Sequence, residues 1–180
     1  MPGKPHTICA LLALPLFLLA GCLSGPGRAY EYETGREIMT EGLYVHRSSG
    51  VQFPETFIPF ERVGILEYYE TGDSVSVGYN FNSFREPTML TVWLYPRAGD
   101  GPLNPEAVLA EQYEQSLLAI LRSRLDCELL SEGSFTLRQN GRTVVGKRAI
   151  VRFEEEFVGQ QQLCTSCLYL FYDSPWIIKY

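Results

Sequence analysis

Hydrophobic and polar positions alternate most cleanly from Ser74 to Phe81, where Val75, Val77, Tyr79 and Phe81 interleave with Ser74, Ser76, Gly78 and Asn80. A period of two predicts a strand with one face buried. Thr88 to Tyr95 is apolar on both parities, with Met89, Trp93 and Tyr95 on one and Leu90, Val92 and Leu94 on the other. Such a run predicts a strand in the centre of a sheet, or one with a helix over one face. Asn104-Pro105-Glu106 then supplies a cap, a proline at the first helical position and an acid in the first turn. Ala110, Tyr113, Leu117, Leu121 and Leu125 follow at steps of three and four, so a helix over about 105–125 is expected to lay this stripe on the sheet. Arg122 and Arg124 stand at its carboxyl end, where cations complement the helix dipole.

Shorter runs complete the pattern. Leu43 to Arg47 and Val51 to Phe53 flank Ser48-Ser49-Gly50, and Glu61 to Glu70 leads through Thr71-Gly72-Asp73 into the alternating strand. After the helix come Glu128 to Ser131, a hairpin of Ser134 to Gln139 and Arg142 to Glu154 about Asn140-Gly141, then Gln161 to Tyr172 and Trp176 to Tyr180. A two-residue turn at Asn140-Gly141 puts Phe135 and Leu137 on the face of Val144, whereas Ala149, Val151 and Phe153 have the opposite parity. A bulge at Gly146 is the expected remedy, and it places Arg138, Arg148 and Arg152 together on the outer face. Strands, one long helix and more strands specify an α+β domain, a twisted antiparallel sheet with the helix packed on it. This order of elements, from about Leu43 to Tyr180, resembles the PsbP-like fold, in which a helix crosses a central antiparallel sheet.

The amino terminus carries a different signal. Met1 to His6 holds one fixed positive charge, Lys4, and is followed by an apolar run from Ile8 to Ala20. Thirteen residues span only ~20 Å as a helix against a hydrocarbon core of ~30 Å, which fits a signal peptide rather than a permanent span. The run ends in Leu19-Ala20-Gly21-Cys22, which resembles the lipobox of bacterial lipoproteins: a Leu, two small residues and a Cys. The resemblance implies a diacylglyceryl group on the Cys22 thiol, cleavage between Gly21 and Cys22, and acylation of the new amino terminus with a chain such as palmitate. Two or three acyl chains hold a protein stably on a bilayer without a transmembrane helix. Leu23, in place of the Asp that retains such lipoproteins in the inner membrane, implies the outer membrane, facing the periplasm, if the source is Gram-negative. The expected organisation is a signal peptide over 1–21, a lipidated Cys22 with a tether to residue 40, and one domain over 41–180. Tyr30, Tyr32, Ile38 and Met39 offer an earlier start to the fold.

Composition narrows the function. With 180 residues, 46% hydrophobic and 20% charged, the chain is neither fibrous, low-complexity nor wholly disordered, and one core is expected. The net charge of −6, which becomes −7 without residues 1–21, has the wrong sign for a protein that neutralises phosphates. Nucleic acid is therefore not an expected partner.

The chemistry-bearing residues are few. Cys127, Cys164 and Cys167 remain once Cys22 is lipidated, an odd number in an exported protein. Cys164-Thr165-Ser166-Cys167 has redox spacing, but in a strand those two side chains point to opposite faces with Cα atoms ~10 Å apart, beyond disulfide reach. Cys127 with either of the two is a candidate structural disulfide. His46 is the sole histidine after residue 21, and its neighbours match no nucleophile motif, so it reads as a surface hairpin residue. Glu154-Glu155-Glu156 lacks the Asp-rich loop of a calcium site, and neither a Walker sequence nor a dinucleotide fingerprint is present, so no metal or cofactor is expected. Candidate binding residues are Trp93 and Tyr95 among the strand aromatics, and Arg138, Arg148 and Arg152. The simpler readings are a sheet core for most of the aromatics and a solvated face for the arginines. The leading expectation is a lipid-anchored envelope lipoprotein acting as a non-enzymatic interaction module for an envelope protein or component. An envelope enzyme or redox protein using Cys164, Cys167 or His46, and a carrier of a small apolar ligand, are the alternatives.

Overall fold

The computed structural model describes residues 35–83, 87–99, 104–124, 126–139, 141–157 and 160–180. The signal peptide, Gly21 and Cys22 lie outside them. The described strands are β1 (Arg36–Glu37), β2 (Tyr44–Val45), β3 (Gln52–Phe53), β4 (Thr56–Phe57), β5 (Phe60–Tyr68), β6 (Ser74–Phe81), β7 (Thr88–Pro96), β8 (Glu128–Gln139), β9 (Arg142–Phe157), β10 (Gln160–Asp173) and β11 (Trp176–Lys179). The helix α1 (Pro105–Ser123) lies between β7 and β8. Nine strands form one antiparallel sheet in the order β1-β5-β6-β7-β11-β10-β9-β8, with β4 also on β5, while β2 and β3 pair separately. The α+β architecture is the one expected. The last strand, however, is internal, inserted between β7 and β10.

Helix α1 starts where its signals place it, with the Asn104 side chain accepting from the amides of Glu106 and Ala107. Val108, Leu109, Tyr113 and Leu117 are its buried residues, so the contact stripe is rotated from the expected one: Ala110 is exposed, and Leu125 lies outside the described residues. Tyr113 and Leu117 pack on Ala149, Val151, Phe153 and Leu168, and Val108 and Leu109 on Leu170, Tyr172 and Ile177. The opposite face of the sheet buries Ile65, Val75, Val77, Tyr79 and Leu94 beneath Phe53, with Ile38, Tyr44, Trp176 and Ile178 packed at the margin. Val77, Leu94, Leu170 and Ile177 are each 0% exposed. Burial of such a side chain stabilises the fold by roughly 1.5–3 kcal/mol.

Residues expected to belong to the tether are part of the sheet. Arg36 pairs with Glu67 and Glu37 with Leu66, and Ile38 packs on the core, so the fold begins before residue 41. The covering segment is stitched down by polar groups: Arg62 donates to the carbonyls of Thr40 and Phe53, and the Tyr79 hydroxyl to that of Pro54.

The β8–β9 hairpin resolves its parity conflict without the bulge expected at Gly146. Pairing runs unbroken from Gln139↔Arg142 to Ser131↔Ile150, and the irregularity falls between Leu129 and Ser131. Phe135 instead stays on the face opposite the helix, over Gly146 and edge-on to Phe171 with ring centroids 5.0 Å apart. Gly146 is small because a Cβ there would sit 2.7 Å from Phe135 and 2.8 Å from Phe171. Gly146→Ala is expected to destabilise the domain by about 1–3 kcal/mol in denaturant titration, and Gly133→Ala, whose Cβ meets nothing within 4 Å, by less.

Candidate functional site

The residues singled out for chemistry do not converge. His46 is 0% exposed rather than on the surface. Its Nε2–H donates to the Gly72 carbonyl at 2.9 Å, and in that tautomer Nδ1 accepts from the Ser49 hydroxyl at 2.8 Å. Ser49 Oγ in turn accepts from the Val51 amide, and the imidazole stands edge-on to Trp176 at 5.3 Å. Nδ1 thus braces the β2–β3 hairpin internally, Nε2 ties it to the β5–β6 turn, and the ring edge packs on β11, which gives His46 a positioning role in the fold.

Cys127, Cys164 and Cys167 are free, so the candidate disulfide is not formed. Cys164 faces the α1 side and Cys167, three positions on, the other, as alternation requires. Cys127 and Cys164 flank the same cluster, but Cys127 precedes Glu128, which pairs with Arg152, while Cys164 pairs with Phe153. With β9 between them the two backbones stand about 9–10 Å apart, beyond the ~7 Å limit for a disulfide.

The arginine trio is also divided. Arg148 and Arg152 share the face opposite α1, whereas Arg138 pairs with Thr143 on the other face, because the bulge that would have aligned them is missing. Arg152 binds Glu128 at 2.6 Å. Glu155 pairs with Arg124.

Trp93 and Tyr95 do belong to one constellation. They project to the α1 side of the sheet, where α1 sits chiefly on β9 and β10 and reaches β7 at Tyr95, whose hydroxyl donates to Gln112; among the described residues no helix lies over β5, β6 and Trp93. Tyr68 reaches across β6 to stack on Trp93, with centroids 5.4 Å apart and planes 23° from parallel, and its hydroxyl lies 3.2 Å from Ser76 Oγ. Ser76 is buried beneath it at 5% exposure. On the other flank of the indole the Lys179 ammonium stands 5.2 Å from the Trp93 ring centroid and 5.9 Å from that of Tyr95. Burial holds the Lys179 ammonium below its ordinary pKa, and no carboxylate pairs with it among the described residues. Around this row Leu66, Val63 and Met89 are exposed, Met89 at 70%. The area is therefore apolar and aromatic, with one largely buried cation. Lys179 escaped sequence reasoning, although its shared parity with Ile177 in an extended segment was a usable signal.

A shallow open cavity of about 150 Å³ lies between Ile38–Thr40 and Arg62–Ile65. Its one cation, Arg62, is spent on the carbonyls of Phe53 and Thr40. Among the described residues no group of three His, Cys, Asp or Glu side chains is placed to hold a metal ion. No family model, curated protein or solved structure matches this chain.

Glu67 is a carboxylate with a donor on each oxygen. Arg36 donates to one oxygen at 2.6 Å and the Tyr44 hydroxyl to the other at 2.9 Å. Burial pushes the carboxyl up, but the Arg36 and Tyr44 hydrogen bonds and the Arg36 charge outweigh it and hold it below the usual carboxylate range. Burial and the bond to Glu67 together raise the Tyr44 hydroxyl pKa. A depressed folded-state pKa means that the contribution of Glu67 is fully present above the unfolded value and is lost as pH falls through the folded one. Glu67→Gln is expected to cost about 1 kcal/mol at pH 7, with the exposed Arg36 limiting the loss, and to flatten the decline in stability below about pH 4–5. Parallel acid limbs for the two proteins in urea titrations would contradict this.

Proposed function

We propose that this chain is a lipid-anchored, non-enzymatic binding module of a bacterial cell envelope, held on the membrane through Cys22, which recruits an envelope protein or component. The observation that carries the reading is the row of Tyr68, Trp93 and Lys179, which no helix covers among the described residues, with exposed Leu66 and Met89 beside it and Tyr95 at its border with α1. Aromatic groups with fixed geometry lose little entropy on association, and a desolvated ammonium favours a partner that brings an acidic group. The lipobox at Leu19 to Cys22 supports the membrane part of the proposal. Net charge does not provide attachment, since a −7 chain is not drawn to an anionic surface. The enzyme and redox alternatives gain no support from the geometry, because His46, Cys164 and Cys167 are not brought together. Nor is the ligand-carrier alternative favoured, because Tyr113, Leu117, Val151 and Leu168 fill the space between helix and sheet.

Crosslinking in intact membranes tests the two halves of the proposal separately. Cys22→Ser is expected to move the protein from the membrane to the soluble fraction with its fold unchanged. Met89→Glu, at an exposed position, is expected to leave anchoring and stability intact and to reduce partner crosslinking roughly tenfold, the effect of losing about 1.4 kcal/mol. Capture that is indifferent to Met89→Glu would remove this face from the account, and membrane retention of Cys22→Ser would remove the lipid anchor.

A further inference from the structure

Strand β8 ends the nine-stranded sheet, and its outer edge has no strand partner among the described residues. Unlike β1 and β4 at the other end, which have two residues each, β8 has twelve. Long open edges are docking sites unless they are blunted. Gln139 and Arg142 close a two-residue connection, so the odd-numbered residues of β8 exchange hydrogen bonds with β9. The same phase follows from Tyr169 and Tyr180, which exchange both backbone bonds and leave the even-numbered residues of β10 to bond β9. The N–H and C=O groups of Glu132, Ser134, Thr136 and Arg138 therefore point to the free edge. The regular part of the strand, Ser131 to Gln139, has Phe135 at its midpoint.

We propose that two copies of this chain pair antiparallel along β8 about a two-fold axis at Phe135, joining their sheets into one. In this register Glu132 of each copy stands opposite Arg138 of the other, Ser134 opposite Thr136, and Gly133 opposite Leu137. The residues suit these places. Arg138 is exposed and has no partner among the described residues. Glu132 receives the Tyr113 hydroxyl on Oε2, which leaves Oε1 for a second donor. Leu137 is 45% exposed, and the space above Gly133 is open. Phe135 leans onto its own Gly146 and Phe171, so the axis is uncrowded. Neighbouring registers lack this match. An axis at Ser134 sets Arg138 against Leu130, and one at Thr136 sets it against Ser134. Opposite charges facing across strands stabilise a pairing, and like charges oppose it. The contact is isologous, so it closes as a dimer. It uses the sheet edge and is independent of the aromatic face.

The test is disulfide crosslinking between two differently tagged full-length copies in membranes. Ser134→Cys in one copy and Thr136→Cys in the other are expected to crosslink several-fold better than Ser134→Cys in both, since 134 faces 136 and lies diagonal to itself. Adding Arg138→Glu to both copies is expected to lower the yield roughly tenfold. Adding Glu132→Arg as well restores crosslinking between swapped copies but not between a swapped copy and an unswapped one, a pattern that a folding defect cannot produce. Three results would overturn the proposal: no 134–136 crosslink, equal yields for 134–136 and 134–134, or swapped copies that join unswapped ones as well as each other. Crosslinking of β8 only to another protein would also overturn it.

Discussion

Strand β11 is four residues long, and the molecule is organised around it. It hydrogen-bonds to β7 on one side and to β10 on the other, and it is the strand that joins the two parts of the sheet. One part holds β1 and β4 to β7, and the other holds β8 to β10 beneath α1. Alternation along β11 lays the half-buried Trp176 and Ile178 against the core under Phe53 and sends Ile177 into the core under the helix. A strand this short provides few hydrogen bonds, so its hold on the two parts comes chiefly from apolar side chains packed on both faces, Ile177 fully buried and Trp176 and Ile178 in part.

Both specialised regions depend on this insertion. Trp176 is the surface against which the His46 ring stands, and His46 fixes the hairpin covering the second core. Lys179 lies between Trp93 and Tyr95, so the arrangement of the aromatic face also depends on β11 being seated. The hairpin of β8 and β9 stands apart from these effects. Its order rests on Phe135 nested over Gly146, and on the Tyr113 hydroxyl, which shares its one proton between Glu132 and the Arg148 carbonyl. Burial and the bond to Glu132 push that hydroxyl pKa up to about 12.

Local signals were legible in the sequence wherever the physics is local. The alternation from Ser74 to Phe81 and the cap at Asn104 both correspond to the elements that they predict. The features that misled depend on distant residues. His46 is buried because Gly72 and Trp176 reach it, and nothing adjacent to it in sequence says so. Gly146 suggested a bulge because a small residue in a strand marks either a bulge or a close approach, and the rings of Phe135 and Phe171, from the strands on either side, decide between them. Arg36 and Glu37 have no apolar period because they lie on an exposed edge, and the pairing of Arg36 with Glu67 supplies what hydrophobic pattern does not. Spatial strand order was invisible for the same reason: alternation shows that Trp176 to Lys179 is extended but not which strands flank it. Of the candidate site, Trp93 and Tyr95 were legible as aromatics on one parity, whereas their partner Lys179 required the β7–β11 register.

If β11 couples the two parts, they must unfold together. Native-state hydrogen exchange tests this at Val77 and Leu94 on one side and at Ala149 and Leu168 on the other, in the parent chain and in Ile177→Ala. The account predicts one common opening free energy for all four amides and an equal fall in the variant, about 2–5 kcal/mol for a fully buried isoleucine. Separate opening energies, or a fall confined to one side, would show that the parts are stable independently and that β11 does not hold them together.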